Sequence, residues 1–265
     1  MDLGTLRQLA LGRVNPAEYD ALFQTEDNHW WFRGLWRDVA EALERFAPKR
    51  PGGLSWLDAG SGTGGLLARL SGRGGFRLAA GLELSADGVS LCRRRGLPSL
   101  VRGSVSSLPF ASGSFDAITS IDVLCHREVG GDKALAEAAR CLSPGGALIL
   151  QVPAYQWLMS AHDRAVWSSH RFTRAEVRGQ VEAAGLEIRL CVYRNSLLFP
   201  LAAGRRLLSR GDASGPDRSD VGPASRVVNI VGSSALAIES ALRRVHVSAP
   251  FGLSVFCAAI RSAKP

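Results

Sequence analysis

The residues best able to do chemistry lie in one short run, Leu57-Asp58-Ala59-Gly60-Ser61-Gly62-Thr63-Gly64-Gly65, where an acidic side chain closes an apolar stretch and a glycine-rich turn follows at once. Leu54 to Asp58 reads as a short buried strand and Leu66 to Leu70 as the opening of a helix. The glycines therefore sit at a strand-to-helix turn, where backbone must approach a ligand closely and a Cβ would block it. That is the chemistry of a nucleotide-type cofactor loop. The loop alone leaves two cofactor classes open. Gly60, Gly62 and Gly65 satisfy the dinucleotide spacing G-x-G-x-x-G, whereas Asp58 with Gly60, Gly62 and Gly64 satisfies a tighter one. Glu83 ends the next apolar run about 20 residues on, where a carboxylate can accept both hydroxyls of a ribose. Either class uses such a group.

The elements that must position these residues alternate strand and helix from Leu54 onward, the pattern of a doubly wound parallel sheet. Strands are expected at Leu54–Asp58, Arg77–Glu83, Ser99–Gly103, Phe115–Ile121, Ala147–Val152, Leu186–Tyr193 and Gly252–Ile260. Helices are expected at Ser85–Arg95, at Asp132–Leu142, which Ser143-Pro144-Gly145-Gly146 should stop, and at Thr173–Ala184, opened by a Thr173/Glu176 capping box. Two segments lie outside the alternation. Pro16 to Phe46 is helical and rich in aromatics, and Asn195 to Pro250 holds two apolar helices, Ser196–Ser209 and Arg226–Val245, joined by the polar linker Gly211–Asp220. The chain divides into an N-terminal helical lid (1–50), an α/β core (51–194), a helical insertion (195–250) and a last core strand (251–265).

With 265 residues, of which 46% are hydrophobic, the chain can bury one large α/β core. The net charge of +8 comes from dispersed arginines, the only lysines being Lys49, Lys133 and Lys264. Such a balance suits an anionic acceptor or membrane surface. Nucleic acid is not expected as a partner, because no dense basic cluster is interleaved with aromatics. The five cysteines are odd in number and widely spaced in apolar segments, as for reduced thiols. Asp2 and the lack of an apolar run ending in a cleavage site give the expectation of a cytoplasmic protein without a leader. The longest apolar run, Val227 to Ile238, falls short of the about 20 residues needed to span a bilayer.

Downstream of Glu83 come Gly103-Ser104-Val105, Leu108-Pro109-Phe110, Gly113-Ser114-Phe115-Asp116-Ala117-Ile118 and Leu142-Ser143-Pro144-Gly145-Gly146. In this order, at these strand ends, they closely resemble the successive motifs of class I S-adenosylmethionine-dependent methyltransferases. The resemblance runs from Leu54 to Ile260 and implies a Rossmann-like seven-stranded sheet with S-adenosylmethionine as cofactor. It implies that Asp58, Gly60, Gly62 and Gly64 line the methionine moiety, that Glu83 holds the ribose, that Leu84, Ser104 and Val105 border the adenine, and that Asp122 faces the transferred methyl. Many relatives carry an acidic residue where Ser104 stands. The family's Phe-Asp, here Phe115-Asp116, serves the fold.

More narrowly, His29-Trp30-Trp31-Phe32-Arg33, Val152-Pro153-Ala154-Tyr155, Ser160-Ala161-His162-Asp163, His170-Arg171-Phe172-Thr173, Asn195-Ser196-Leu197-Leu198-Phe199-Pro200 and Ala249-Pro250-Phe251-Gly252-Leu253-Ser254 resemble a bacterial subgroup of these enzymes associated with glycan and lipid biosynthesis. Where its members have Glu-His after the fourth strand, this chain has Cys125-His126. A small-molecule or lipid- or glycan-linked acceptor is expected, with oxygen as the expected accepting atom. Methyl transfer needs mainly alignment. Where the acceptor holds its proton, His126, His162, Asp163 and His170 are the candidate bases, each following a strand end. The spacing of His162, Asp163 and His170 matches no standard zinc pattern, so no metal is expected. Trp30, Trp31 and Phe32 either close over the cofactor or staple the N-terminal helices to the sheet, with Trp31 or His29 expected at the pocket. In the insertion, Val227, Val231, Ile238, Leu242 and Val245 recur at helical spacing, and a core-facing stripe is the default. The alternatives are a cover over an apolar acceptor and a patch resting on an anionic membrane. Two rival functions stand beside methyl transfer. A nicotinamide-dependent oxidoreductase is disfavoured by the absence of Tyr-x-x-x-Lys and by the closing apolar strand, and the other rival is a cofactor-binding protein that docks a partner or membrane without turnover.

Overall fold

The computed structural model describes residues 16–208, 222, 224–245 and 247–263. Seven strands form one sheet in the order β3-β2-β1-β4-β5-β7-β6. The strands are β1 (Leu54–Ala59), β2 (Phe76–Glu83), β3 (Leu100–Arg102), β4 (Phe115–Ile121), β5 (Leu142–Pro153), β6 (Leu186–Arg194) and β7 (Ser254–Arg261). All neighbours pair in parallel except β7, which runs antiparallel to both β5 and β6. The carboxyl ends of the six parallel strands therefore meet at one edge. In open α/β sheets that edge is where ligands bind.

The described helices, in chain order, are α1 (Pro16–Thr25), α2 (Trp30–Phe46), α3 (Gly65–Ser71), α4 (Ala86–Arg94), α5 (Gly131–Cys141), α6 (Ala161–Ala165), α7 (Arg174–Ala183), α8 (Phe199–Leu208) and α9 (Arg226–Arg244). One face of the sheet packs Leu35, Trp36, Val39 and Leu43 of α2 and Leu67 of α3 against Trp56, Ile149 and Phe256. The other buries Leu135 and Ala138 of α5 and Val177 and Val181 of α7 against Ile118, Leu148 and Leu150. A strand set buried on both faces reads as near-continuous apolar runs, which is why strand positions were clear in the sequence. Asp116 ties this core together. It accepts from Ser55 N and from the side chains of Arg50 and Ser143, a fold role as its motif implied.

Three elements differ from expectation. β5 begins at Leu142 and runs through the Ser143-Pro144-Gly145-Gly146 stop. Phe115 pairs with Leu142 and Ala117 with Ala147, and Gly145 at φ 79° absorbs the extra residues as a bulge. The first insertion helix starts at Phe199, because Ser196 is held outside it, its N–H donating to Glu239 and its hydroxyl to Phe251 O. The Gly211–Asp220 linker lies outside the described residues. The expected core-facing stripe of α9 points the other way. Val227, Val231, Ile238, Leu242 and Val245 are exposed, whereas Gly232, Leu236, Glu239 and Ser240 face α2. Small residues decide this: Leu236 lies on the bare Cα of Gly34, and Trp30 covers that of Gly232. No described helix is long and apolar enough to cross a membrane.

Candidate functional site

The glycine turn is pinned to β2, since Gly60 N and Ser61 N both donate to Leu82 O, at 2.8 and 3.0 Å. Gly60, Gly62 and Gly64 have φ of 87°, 56° and 81°, left-handed values that favour glycine. Their surroundings differ. A Cβ on Gly60 would lie 2.3 Å from Val123 and one on Gly64 2.6 Å from Leu97, whereas one on Gly62 would meet nothing within 4 Å. Two glycines let the turn pack, and the third keeps a cradle clear above it.

Glu83 closes the cradle from the end of β2. Its Oε2 accepts from Gly62 N at 2.8 Å and its Oε1 from Ser85 N at 2.8 Å. Burial raises its pKa, against those N–H donors and the Tyr19 hydroxyl. Asp58 is buried beneath the turn, where burial pushes its carboxyl up to about 7 although Thr119 Oγ1 donates to it at 2.6 Å. Around the adenine position, Leu84 is half exposed. Ser104 Oγ turns back to accept from Ser106 N, and the Val105 side chain packs into the core instead of lining an open face.

Sequence reasoning missed what covers this end. Tyr19, on the face of α1 that also carries Phe23, and Glu26, just past the end of that helix, reach the turn. Tyr19 Oη donates to Glu83 Oε1 at 3.2 Å, and the Glu26 carboxylate accepts from Thr63 Oγ1 while lying over Gly65. Arg95 locks α1 down, donating to Thr63 O, Phe23 O, Glu26 and Asp27, with its guanidinium 4.5 Å from the Phe23 ring centroid. Burial pushes the Glu26 carboxyl up to about 7. Positions 19, 23 and 26 repeat at i, i+4 and i+7, the available signal. The predicted lid aromatics sit elsewhere. His29 caps α2, its Nδ1 accepting from Trp31 N, and Trp31 faces the Arg194 guanidinium at the end of β6.

At the carboxyl edges of β4, β5 and β6 the chain turns through non-glycine residues with positive φ: Asp122 (54°), Tyr155 (60°) and Asn195 (61°). Such strain persists where surrounding structure imposes it and clusters at functional sites. The Asp122 Oδ2 accepts from Gln151 Nε2 at 3.1 Å, and burial pushes this carboxyl up to about 6. Gln151 in turn faces Arg194, whose Nε donates to Asp38 at 2.6 Å. Asp122 Oδ1, Arg194 Nη2 and both amide atoms of Asn195 are buried without a partner among the described residues. Beside them Tyr155 stacks on Tyr193 at 5.2 Å, and Phe199 touches Tyr155, Trp157 and Phe251. A polar floor thus adjoins an aromatic wall.

The four candidate bases are not gathered into one group. Asp163 is a corrected assignment: its Oδ1 is held by Arg171 at 2.9 Å, and its Oδ2 accepts from Ser160 N and Oγ, so no lone pair is left for catalysis. Burial raises its pKa, but Arg171 and Ser160 outweigh burial and leave it low. His170 is half-buried, 3.4 Å from Glu176 and edge-on to Phe172. His162 lies half-buried on α6. His126 follows Asp122 by four residues. Burial lowers its pKa, backbone groups of Val166, Trp167 and Asp122 oppose that, and its Nδ1 has no partner among the described residues.

Comparison with known proteins adds the family. Residues 57–150 match a methyltransferase domain. Over 147 residues the chain is 35% identical to the phthiotriol/phenolphthiotriol dimycocerosates methyltransferase 1 of Mycobacterium ulcerans, covering 49% of this chain and 52% of that protein. Over 96 residues it is 40% identical to the fatty-acid O-methyltransferase of Mycolicibacterium smegmatis, covering 34% of each. The chain thus spans about half, or less, of the length of these curated relatives. A chain from the complex of the Haloferax volcanii Trm112 methyltransferase activator with a methyltransferase superposes with a TM-score of 0.60 at 22% identity, over 93% of this chain and 94% of that one, a likeness of fold. The glycine turn, the Glu83 carboxylate, the strand order and the matched domain place residues 57–150 in the class I S-adenosylmethionine-dependent methyltransferase family.

Proposed function

We propose that the protein transfers a methyl group from S-adenosylmethionine to a hydroxyl of an apolar, lipid-like acceptor. The observation that carries the cofactor is the open space above Gly62, where a Cβ would meet no described atom within 4 Å, beside the Glu83 carboxylate. Gly60 to Gly64 and Asp58 would hold the methionine end and Glu83 the ribose diol, with Tyr19 yielding Oε1 to it; Leu84, Ser104 and Val105 border the adenine position. Bound there, the cofactor supplies a methyl carbon made electrophilic by its sulfonium and leaves as S-adenosylhomocysteine.

The aromatic wall of Tyr155, Tyr193, Phe199 and Phe251 suits an apolar acceptor body. Unpartnered Asp122 Oδ1 and Arg194 Nη2 suit its polar end, since buried polar atoms are stable only when paired. The names of the two curated relatives, a mycobacterial lipid enzyme and a fatty-acid O-methyltransferase, support the same class and the oxygen. His126 Nδ1 takes the hydroxyl proton. Its lowered pKa keeps the imidazole neutral, and so able to accept, at pH values down to and below the ordinary 6.5.

Labelled S-adenosylmethionine incubated with long-chain fatty acids, hydroxylated lipids and glycans tests this. Transfer to a lipid hydroxyl is expected, with kcat flat above pH 6.5, and His126→Gln should lower kcat about a hundredfold while sparing cofactor affinity; transfer only to a carboxylate contradicts the hydroxyl acceptor. Transfer only to water-soluble glycans contradicts the acceptor class, and an unchanged kcat in His126→Gln removes the base.

A further inference from the structure

The outward face of α9 has no partner among the described residues. Val227, Val231, Ile238, Leu242 and Val245 are 69%, 56%, 55%, 40% and 66% exposed, and Ser234 and Ala241, on the same face, are exposed too. At spacings of three and four residues these positions form one uncharged stripe over five turns. The charged residues of α9 lie off it: Glu239 and Arg243 turn inward to each other and to Asp38, and Arg244 pairs with Glu41. Soluble proteins seldom leave so long an apolar stripe uncovered without a use.

Arginines border the stripe on one side. A cleft of about 540 Å³ is lined by Arg33, Arg226 and Ile230, and a second of about 230 Å³ by Arg33, Arg37, Arg69, Arg73 and Trp30. The two meet at Arg33 and Ser233, and among the described residues no acidic side chain lines either. Arg33, Arg69, Arg73 and Arg226 are exposed and make no ion pair among the described residues, although most other exposed arginines of α2, α7 and α9 do. A second copy laid face to face on the stripe would bring these unpaired cations toward one another. A surface of phosphates would neutralise them, and guanidinium groups in clefts suit phosphate oxygens.

We propose that α9 docks on an anionic phospholipid bilayer, its Val227–Val245 stripe entering the headgroup boundary while Arg33, Arg69, Arg73 and Arg226 bind lipid phosphates. Helices with an apolar face and a cationic border lie in this way in the interface plane. The docked helix is the one whose Glu239 accepts from Asn195 N and Ser196 N, so the membrane contact is one turn from the carboxyl end of β6.

Flotation of the full chain with vesicles of phosphatidylcholine alone, and with 30% phosphatidylglycerol (about a third anionic lipid, enough for a marked surface potential), tests this independently of methyl transfer. Anionic vesicles should bind at least about tenfold more protein than neutral ones, and added salt should weaken binding. Ile238→Glu with Val231→Glu, and separately Arg33→Ala with Arg69→Ala and Arg73→Ala, should each lower binding about tenfold or more. S-adenosylhomocysteine affinity, measured on the same variants, should stay at the parent value and so report an intact fold. Equal binding to both vesicle types, or none to either, overturns the proposal. So does a parent dimer in solution that Ile238→Glu dissociates, since the stripe would then belong to a second copy.

Discussion

At the residue scale the glycine turn separates packing from ligand access, and two substitutions test the separation. Gly60→Ala drives a Cβ into Val123 at φ 87° and should cost roughly 1–3 kcal/mol of stability. Gly62→Ala meets no protein atom, so it should cost only about 1 kcal/mol of left-handed strain yet weaken S-adenosylhomocysteine binding more than tenfold. Thermal melts with calorimetry read both. Equal effects on affinity and stability in both variants would contradict the cradle. Asp58 gives a second test. Its folded-state pKa lies above the ordinary carboxylate value, so the folded state binds more protons than the unfolded one. Its contribution is fully favourable below about pH 4 and is lost as pH rises through about 7. Asp58→Asn should therefore flatten the melting temperature between those limits and leave the variant more stable than the parent at pH 8. A steeper pH dependence in the variant would contradict this. Asp58, the glycines and Glu83 were legible because loop chemistry depends on residue type and spacing. Asp163 was misread for the same reason: spacing cannot reveal that Arg171, eight residues on, occupies the carboxylate.

At the element scale, strands and core helices were legible because burial on both sheet faces writes apolar runs directly into sequence. The insertion was misread because an apolar helical stripe does not say which side it faces. Gly34 and Gly232 are what turn α9 inward on its small-residue side, and a glycine carries no hydrophobic signal of its own. The orientation predicts a contrast between neighbours. Leu236→Ala, at 1% exposure, should cost about 2–5 kcal/mol, whereas Ile238→Ala, two residues along, should cost less than about 0.5 kcal/mol. Chemical denaturation measures both, and the reverse order would put the stripe in the core. α1 was recognised as helical, but its role was assigned to the aromatics of α2. Tyr19, Glu26 and the Arg95 clamp show that the first helix and the residues just past it cover the glycine turn, while Trp31 faces Arg194.

At the scale of the molecule, one carboxyl edge carries two chemistries side by side. Over β1 and β2 lies a cradle of glycine and carboxylate under α1. Over β4, β5 and β6 lies a polar floor with an aromatic wall under the insertion. The sheet alone makes them adjacent, because its strand order places β1 next to β4. Such an arrangement fits a polar cofactor on one side and an apolar acceptor on the other. The cofactor that occupies the cradle distinguishes methyl transfer from nicotinamide chemistry. Calorimetric titration of the purified chain with S-adenosylhomocysteine, NAD and NADP decides it most directly. Micromolar binding of S-adenosylhomocysteine alone is expected, weakened about thirtyfold by Glu83→Gln through the loss of a charged hydrogen-bond acceptor. Binding of NAD or NADP in its place, or S-adenosylhomocysteine affinity unchanged in Glu83→Gln, would contradict it.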